Sequence, residues 1–223
     1  MGRRRLAIID PGPDVDSHVR ALASRVEGAE TITVLLTHGH ADHAGAAPRL
    51  ARELGAPVVG PDGVDGVTRP LRDDDVVETD DGDLVALHTP GHTRDHFAFH
   101  WPMRNAAFVG DLLLGRGDTT WVAEYPGCVQ DYLDALVRLD GLELAVVYPA
   151  HGPPLDDPAE AVERFRRHRL DRIEQVRAAR ASHPDADAEG LVDIVYGDSV
   201  PRSMRGAALQ SLEAVLHHLD AGR

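Results

Sequence analysis

Lysine is absent from this 223-residue chain, so arginine alone supplies its 23 basic charges against 37 acidic ones. The formal net charge of −14 opposes nonspecific binding to nucleic acid or anionic lipid, although it leaves room for a local basic groove. Cys128 is the single cysteine, which excludes an internal disulfide framework and a cysteine-rich metal site. No apolar run is long enough for a signal-peptide core or a membrane span, so we expect a cytoplasmic protein.

One short segment, THGHADH at residues 37–43, carries most of the chemical information. It follows an apolar run that predicts a buried strand, and it precedes a helical pattern. His38 and His40 are two residues apart and point the same way on an extended segment, while the turn into the helix brings Asp42 and His43 toward the same point. Three imidazoles and a carboxylate at this spacing predict a site for zinc or a similar metal.

Three further polar residues follow predicted strands, namely His92, Asp111 and His151, and each has a turn residue beside it. With the first segment they make five histidines and two aspartates at strand ends, the edge where α/β folds place their sites. Seven ligands are too many for one tetrahedral zinc ion and suit two.

One division of these ligands gives each metal three side chains. His38, His40 and His92 hold the first metal, Asp42, His43 and His151 hold the second, and Asp111 bridges them. Two zinc ions would share a water or hydroxide and lower its pKa toward about 7, which supplies a nucleophile without serine or cysteine. Asp42 is also the predicted catalytic residue, because it can hold or receive a proton from that water.

The order of these ligands along the chain resembles the metallo-β-lactamase superfamily. The resemblance implies an α/β fold, the αβ/βα sandwich, in which Asp10 steadies the metal loops. We expect Thr37 and His96 to support the ligands as well. Superfamily members usually have two or three strands before the aspartate that corresponds to Asp10. Here only the strand at residues 6–9 precedes it, so we expect an N-terminally shortened first sheet.

Two stretches, TPGHTRDH at residues 89–96 and GDLLLG at residues 110–115, are similar to the β-lactamase-like endoribonuclease branch of that superfamily. That branch carries a small winged-helix-like domain after its last metal ligand. Helical patterns at about 158–181, 187–196 and 203–219 fit such a tail. We therefore predict a hydrolase domain at residues 1–156 and a helical winged-helix-like domain at residues 157–223. The resemblance implies a two-zinc hydrolase of phosphodiester bonds in single-stranded RNA.

Arg169 lies on the apolar stripe of the first tail helix, four residues after Phe165 and four before Ile173. A charge on a buried stripe needs a partner. Either Arg169, together with Arg172, points into the cleft between the domains and binds a substrate phosphate, or it forms a salt bridge to an acidic residue of the sandwich.

Other functions remain open on the sequence alone. The same ligand set serves small-molecule hydrolysis in thioester hydrolases of the hydroxyacylglutathione type, although their substrate pocket normally uses lysine and arginine from a C-terminal extension. β-Lactam hydrolysis ranks lower, because zinc-dependent lactamases often have cysteine where Asp111 stands. A non-catalytic binding module would predict a degraded ligand set, which this chain does not have. The oligomeric state is open too, and a homodimer is one of the options.

Overall fold

The computed structural model describes residues 1–222, without the side chain of Asp198. The strands are β1 (Arg5–Ile9), β2 (Thr31–Leu35), β3 (Val58–Gly60), β4 (Arg69–Pro70), β5 (Val76–Val77), β6 (Leu84–His88), β7 (Phe97–Trp101), β8 (Ala106–Gly110) and β9 (Val146–Pro149). The α-helices are α1 (Asp16–Arg25), α2 (Ala41–Ala44), α3 (Ala47–Leu54), α4 (Cys128–Asp140), α5 (Pro158–Ser182), α6 (Ala188–Tyr196) and α7 (Arg205–Asp220). Short 3-10 helices lie at Pro102–Arg104, Gly197–Ser199 and Arg202–Met204.

The strands form two sheets with different hydrogen-bonding patterns. The first sheet has the order β1-β2-β3-β4, and all its pairs are parallel. The second has the order β5-β6-β7-β8-β9, with antiparallel pairs up to β8 and a parallel pair between β8 and β9. Since β6 and β8 are both antiparallel to β7, the strands β6, β8 and β9 run in one direction and their carboxyl ends share an edge.

Three apolar clusters hold the layers together. Leu35 of the first sheet and Phe99 of the second belong to the cluster between the sheets. Val34 packs with Leu50 of α3 on the outer side of the first sheet. Ala107 packs with Leu136 of α4 on the outer side of the second. Residues alternate between the two faces of a strand, so strands such as β2 and β8 contribute to two layers, and the predicted αβ/βα sandwich is confirmed.

The three predicted tail helices are present as α5, α6 and α7. Their buried residues, among them Phe165 and Leu212, belong to the same cluster as Leu136 of the sandwich. The tail therefore packs directly on the second sheet's helical layer. The domain boundary at residues 156/157 stays a prediction. Of the helices at residues 1–222, not one combines the length and apolar character that a membrane span needs.

Candidate metal centre

The side chains assigned from the sequence to two different metals form two compact groups. Each residue of a group offers one ligand atom within 4.8 Å of the others, and the groups are His38, His40 and His92, and Asp42, His43 and His151. All of them follow the carboxyl ends of β2, β6 or β9, so the sheet edges bring together residues up to 113 positions apart.

Asp111 follows β8 and lies between the two groups. Its Oδ2 is 3.7 Å from Nε2 of His92, which belongs to the first group. Its Oδ1 is 3.5 Å from Nε2 of His43 and 3.6 Å from Nε2 of His151, which belong to the second. Each carboxylate oxygen thus faces a different group, which is the placement expected of a bridging ligand.

The hydrogen bonds of His38 and His43 leave one nitrogen of each ring free for a metal. Nδ1 of His43 donates to Oδ2 of Asp10 over 2.9 Å. The hydroxyl of Thr37 donates to the same carboxylate, so it accepts from Nδ1 of His38 at 3.0 Å. In the described part of the chain, Nε2 of both histidines and Oδ1 of Asp111 are buried without a hydrogen-bond partner. Such atoms are rare in folded proteins, and this cluster fits divalent cations.

His40 and His92 show the same arrangement in the first group. Nε2 of His40 donates to Oε1 of Glu124 over 2.7 Å, and Nδ1 of His92 donates to the backbone carbonyl of Trp121 over 2.9 Å. The remaining nitrogens, Nδ1 of His40 and Nε2 of His92, lie 3.0 Å apart. In neutral rings both carry lone pairs, so a cation between or beside them removes their repulsion.

Burial and charge make the proton affinities of the cluster unequal. Burial, followed by the neighbouring imidazoles, lowers the pKa of His38 far below its ordinary value. Burial also opposes the charged form of His43, but its hydrogen bond to Asp10 and the nearby carboxylate of Asp111 raise its pKa to about 10. Burial raises the pKa of Asp111, yet the imidazole of His43, 3.5 Å away, brings it below the ordinary range. The carboxylates thus favour positive charge at the centre of the site.

The three residues predicted to support the ligands all touch them. Besides the bonds already described, Oδ1 of Asp10 accepts the backbone N–H of Thr37 over 2.8 Å. Nε2 of His96 accepts the backbone N–H of Asp111 over 3.2 Å, and its Nδ1 donates to the hydroxyl of Thr89. These contacts fix the rotation of the ligand side chains and of the backbone that carries them.

Asp42 and His151 form the accessible side of the second group. Oδ2 of Asp42 is 3.2 Å from Nε2 of His151, and about half of each side chain is exposed. Both line a cavity of about 410 Å³ whose wall includes the stacked rings of Phe108 and Tyr148, 5.2 Å apart. The described residues that line this cavity include no arginine.

Arg169 lies elsewhere, under the loop that follows β8. It is 3% exposed, and its Nη2 donates to the backbone carbonyl of Thr120 over 3.2 Å. Its guanidinium lies 5.5 Å from the ring of Tyr132, while that of Arg172 lies 4.3 Å from the ring of Tyr196. Among the described residues, the partner of Arg169 is therefore a loop carbonyl of the sandwich rather than the acidic side chain that one sequence-based alternative named.

Sequence reasoning missed the supporting contacts from the loop at residues 114–127. Glu124 bonds His40, and the carbonyl of Trp121 bonds His92, but this loop has no periodic pattern that would predict its path. The Trp121 contact uses a backbone atom, which leaves no signal in residue identity. The Thr89 hydroxyl could have been suggested by its place as the first residue of the TPGH turn.

Comparisons with known proteins agree with this geometry. The profile of the Metallo-beta-lactamase superfamily matches residues 2–151. The chain is 29% identical over 228 residues to a Beta-lactamase-like protein 2 homolog from Caenorhabditis elegans, covering 98% of this chain and 75% of that protein. It is 32% identical over 243 residues to an atrochrysone carboxyl ACP thioesterase from Paecilomyces divaricatus, covering 98% of this chain and 71% of that one.

A solved structure shares the fold along the whole chain. It is a metallo-beta-lactamase family protein from Thermus thermophilus, 24% identical, with a TM-score of 0.79 and coverage of 100% of this chain and 87% of the other. The profile match spans more than half of the sequence and includes every predicted metal ligand. This protein therefore belongs to the metallo-β-lactamase superfamily, a fold family of hydrolases.

Proposed function

We propose that this chain is a thioester hydrolase that uses two divalent metal ions, with zinc the best match to its imidazole and carboxylate ligands. His38, His40 and His92 would hold the first ion and Asp42, His43 and His151 the second, and Asp111, whose two oxygens face different groups, would serve both. The relative from Paecilomyces divaricatus is named as an acyl-carrier-protein thioesterase, which supports this class of substrate.

The cavity beside Asp42 and His151 is the observation that favours a thioester over a phosphodiester. Phe108 and Tyr148 give it an aromatic wall, and no arginine is among its described lining residues. A nucleic-acid substrate needs positive charge along its path to neutralise phosphates. An uncharged acyl group instead gains from contact with aromatic surface.

The residues of the centre divide the chemistry among them. When bound, the two cations would lower the pKa of a water molecule and polarise the thioester carbonyl. Attack by water breaks the carbon–sulfur bond and gives a carboxylic acid and a thiol. Asp42 is exposed toward the cavity, so its carboxylate accepts the proton of the water and returns it to the departing sulfur. Asp10 and Thr37 hold His43 and His38 in orientation throughout.

The endoribonuclease-like assignment, with its winged-helix-like tail and single-stranded RNA substrate, stays the alternative. A two-metal centre of this kind serves phosphodiesters as well as thioesters. The buried position of Arg169 and the contact of Arg172 with Tyr196 leave neither guanidinium beside the metal ligands that line the cavity of Asp42. For this reason we rank RNA below a thioester.

A direct assay distinguishes a thioester substrate from an RNA substrate. Protein loaded with zinc, manganese or iron is given benzoyl and acetyl thioesters of N-acetylcysteamine, a single-stranded RNA and a β-lactam, each with and without chelator. We expect chelator-sensitive thiol release, with a higher kcat/KM for the benzoyl ester. His151→Ala should abolish thiol release, and His217→Ala, at an exposed site on α7, is the matched control that should retain it.

A second variant tests the aromatic wall. Phe108→Leu should lower kcat/KM for the benzoyl ester more than for the acetyl ester, because it removes ring contact without removing a metal ligand. RNA cleavage that is lost in His151→Ala, together with no thiol release from either ester, would replace the thioester proposal with the phosphodiester one.

A further inference from the structure

A second cavity, of about 420 Å³, lies between the loop after β8 and the tail helices α5 and α7. Its lining shares no residue with the two groups of candidate metal ligands and does not include Asp111. Trp121 and Val122 line it from the loop, and Ala208 and Met204 line it from the tail. Met204 is 53% exposed, so the cavity opens to solvent on that side. Its volume is within the range typical of small-molecule sites.

Arg169 is a buried cation in the wall of this cavity, and part of its hydrogen-bonding capacity is unused among the described residues. Among the described residues, Nη2 alone has a hydrogen-bond partner, the carbonyl of Thr120, and Nε is buried without one. Burial lowers the pKa of this guanidinium, which reflects the cost of keeping its charge away from water. A buried charge without a counterion destabilises the fold, and a bound anion would remove that cost.

The surroundings of Arg169 carry the charge that an anion requires. Arg172 adds a second guanidinium to the lining, while burial lowers the pKa of His168, so its ring adds no charge. Among the lining residues whose side chains are described, none is acidic, although acidic residues outnumber basic ones in the chain as a whole. The cavity is therefore a local region of positive charge in an acidic protein.

The rest of the lining limits what kind of anion fits. Most lining side chains are apolar, including Leu114, Val122 and Val200, with Tyr196 beside them. A phosphate dianion needs several donors to replace its hydration, whereas one face of Arg172 is taken up by the Tyr196 ring. A single negative charge on an apolar body matches one buried guanidinium and an apolar wall.

We propose that this cavity binds a small organic monoanion, a carboxylate attached to an apolar body, with the guanidinium of Arg169 as its counter-charge. The occupant touches the loop that supports the metal ligands. The hydroxyl of Thr120 donates to the carbonyl of Asp111, and the carbonyl of Trp121 accepts from His92. The site is defined by its own lining, so it does not depend on which reaction the metal centre catalyses.

Octanoate is a suitable probe, and the fluorescence of Trp121 reports its binding. The other tryptophan, Trp101, lies in the core between the sheets and adds a constant signal. We expect a saturable change with octanoate and none with acetate, 1-octanol or inorganic phosphate over the same range. Arg169→Gln should weaken octanoate binding at least tenfold. Arg177→Gln is the control, since Arg177 is exposed on the same helix and paired with Glu174.

A second variant keeps the test decisive if Arg169→Gln does not fold. Ala207→Leu fills the cavity from α7 and should abolish octanoate binding without removing a charge. Equal binding of octanoate and 1-octanol would overturn the role of Arg169. Unchanged octanoate affinity in Ala207→Leu would overturn the location, and saturable binding of phosphate that displaces octanoate would overturn the ligand class.

Discussion

Nδ1 of His40 and Nε2 of His92 lie 3.0 Å apart, although 52 residues separate them in the sequence. The other nitrogen of each ring donates a hydrogen bond, to Glu124 or to the carbonyl of Trp121. In neutral rings, the two remaining nitrogens therefore face each other with their lone pairs. The same pattern, a held Nδ1 and a free Nε2, recurs at His43. The support contacts thus leave one nitrogen of each of these rings without a protein hydrogen bond and facing one of two neighbouring points, which is an arrangement suited to binding cations.

The two groups predict separable metal sites. His40→Ala removes a ligand of the first group only, and His151→Ala removes one of the second only. Each variant should therefore bind about one metal equivalent per chain fewer than the unmodified protein, measured by mass spectrometry of the metals after dialysis. His217→Ala should bind the full amount. Loss of all metal from both variants would show one joint site instead of two.

Asp10→Asn tests the carboxylate that holds His43 and Thr37. Asp10 has a positive φ of 46°, a conformation that asparagine tolerates, so this substitution removes charge while keeping the backbone. We expect metal affinity or activity to fall by about 10- to 100-fold. Circular dichroism should show an intact fold. A metal affinity within twofold of that of the unmodified protein would show that Asp10 does not support the site.

Gly110→Ala should disturb the metal centre more than an alanine substitution at another glycine with a positive φ. Gly110 has a φ of +50°, and a Cβ there would lie 2.6 Å from Nε2 of His96 and 2.8 Å from the hydroxyl oxygen of Thr37. Gly28 has a φ of +85° with nothing within 4 Å of its Cβ position. Both alanine variants carry a backbone penalty of about 1–2 kcal/mol. Crowding in Gly110→Ala should add about 1–3 kcal/mol.

Urea unfolding of the two glycine variants, followed by metal titration, measures this difference. Gly110→Ala should lose metal affinity as well as stability, and Gly28→Ala should lose stability only. Equal free energies of unfolding in the two variants would mean that the backbone next to Asp111 is not closely packed.

Arg169→Met tests whether the buried guanidinium is kept for function. Methionine fills similar space without a charge, so the free energy of unfolding should stay the same or rise by roughly 1–4 kcal/mol, as for other buried charges replaced by apolar residues. Chemical denaturation of the metal-loaded protein measures it. A loss of about 3 kcal/mol or more, the cost typical of breaking a buried charge contact, would make Arg169 a structural residue of the loop contact with Thr120.

Much of the centre was predictable because its ligands follow strands that are recognisable in the sequence. The apolar run before residues 37–43 indicated β2, and the residues after the runs at β6, β8 and β9 supplied His92, Asp111 and His151. The tail helices were predictable from periodicity. The loop at residues 114–127 was not, because its path depends on packing against α4 and α5, and its contribution includes backbone carbonyls.

The sequence by itself determined the fold class, the superfamily and the seven candidate ligands, since strand patterns and residue spacing are local properties. Only the tertiary structure decided which nitrogen of each histidine is free, that the two oxygens of Asp111 face different groups, and that Arg169 lies beneath a loop away from the ligands. Those facts depend on contacts between segments far apart in the chain. Such contacts form when apolar faces pack, and residue order alone does not specify them.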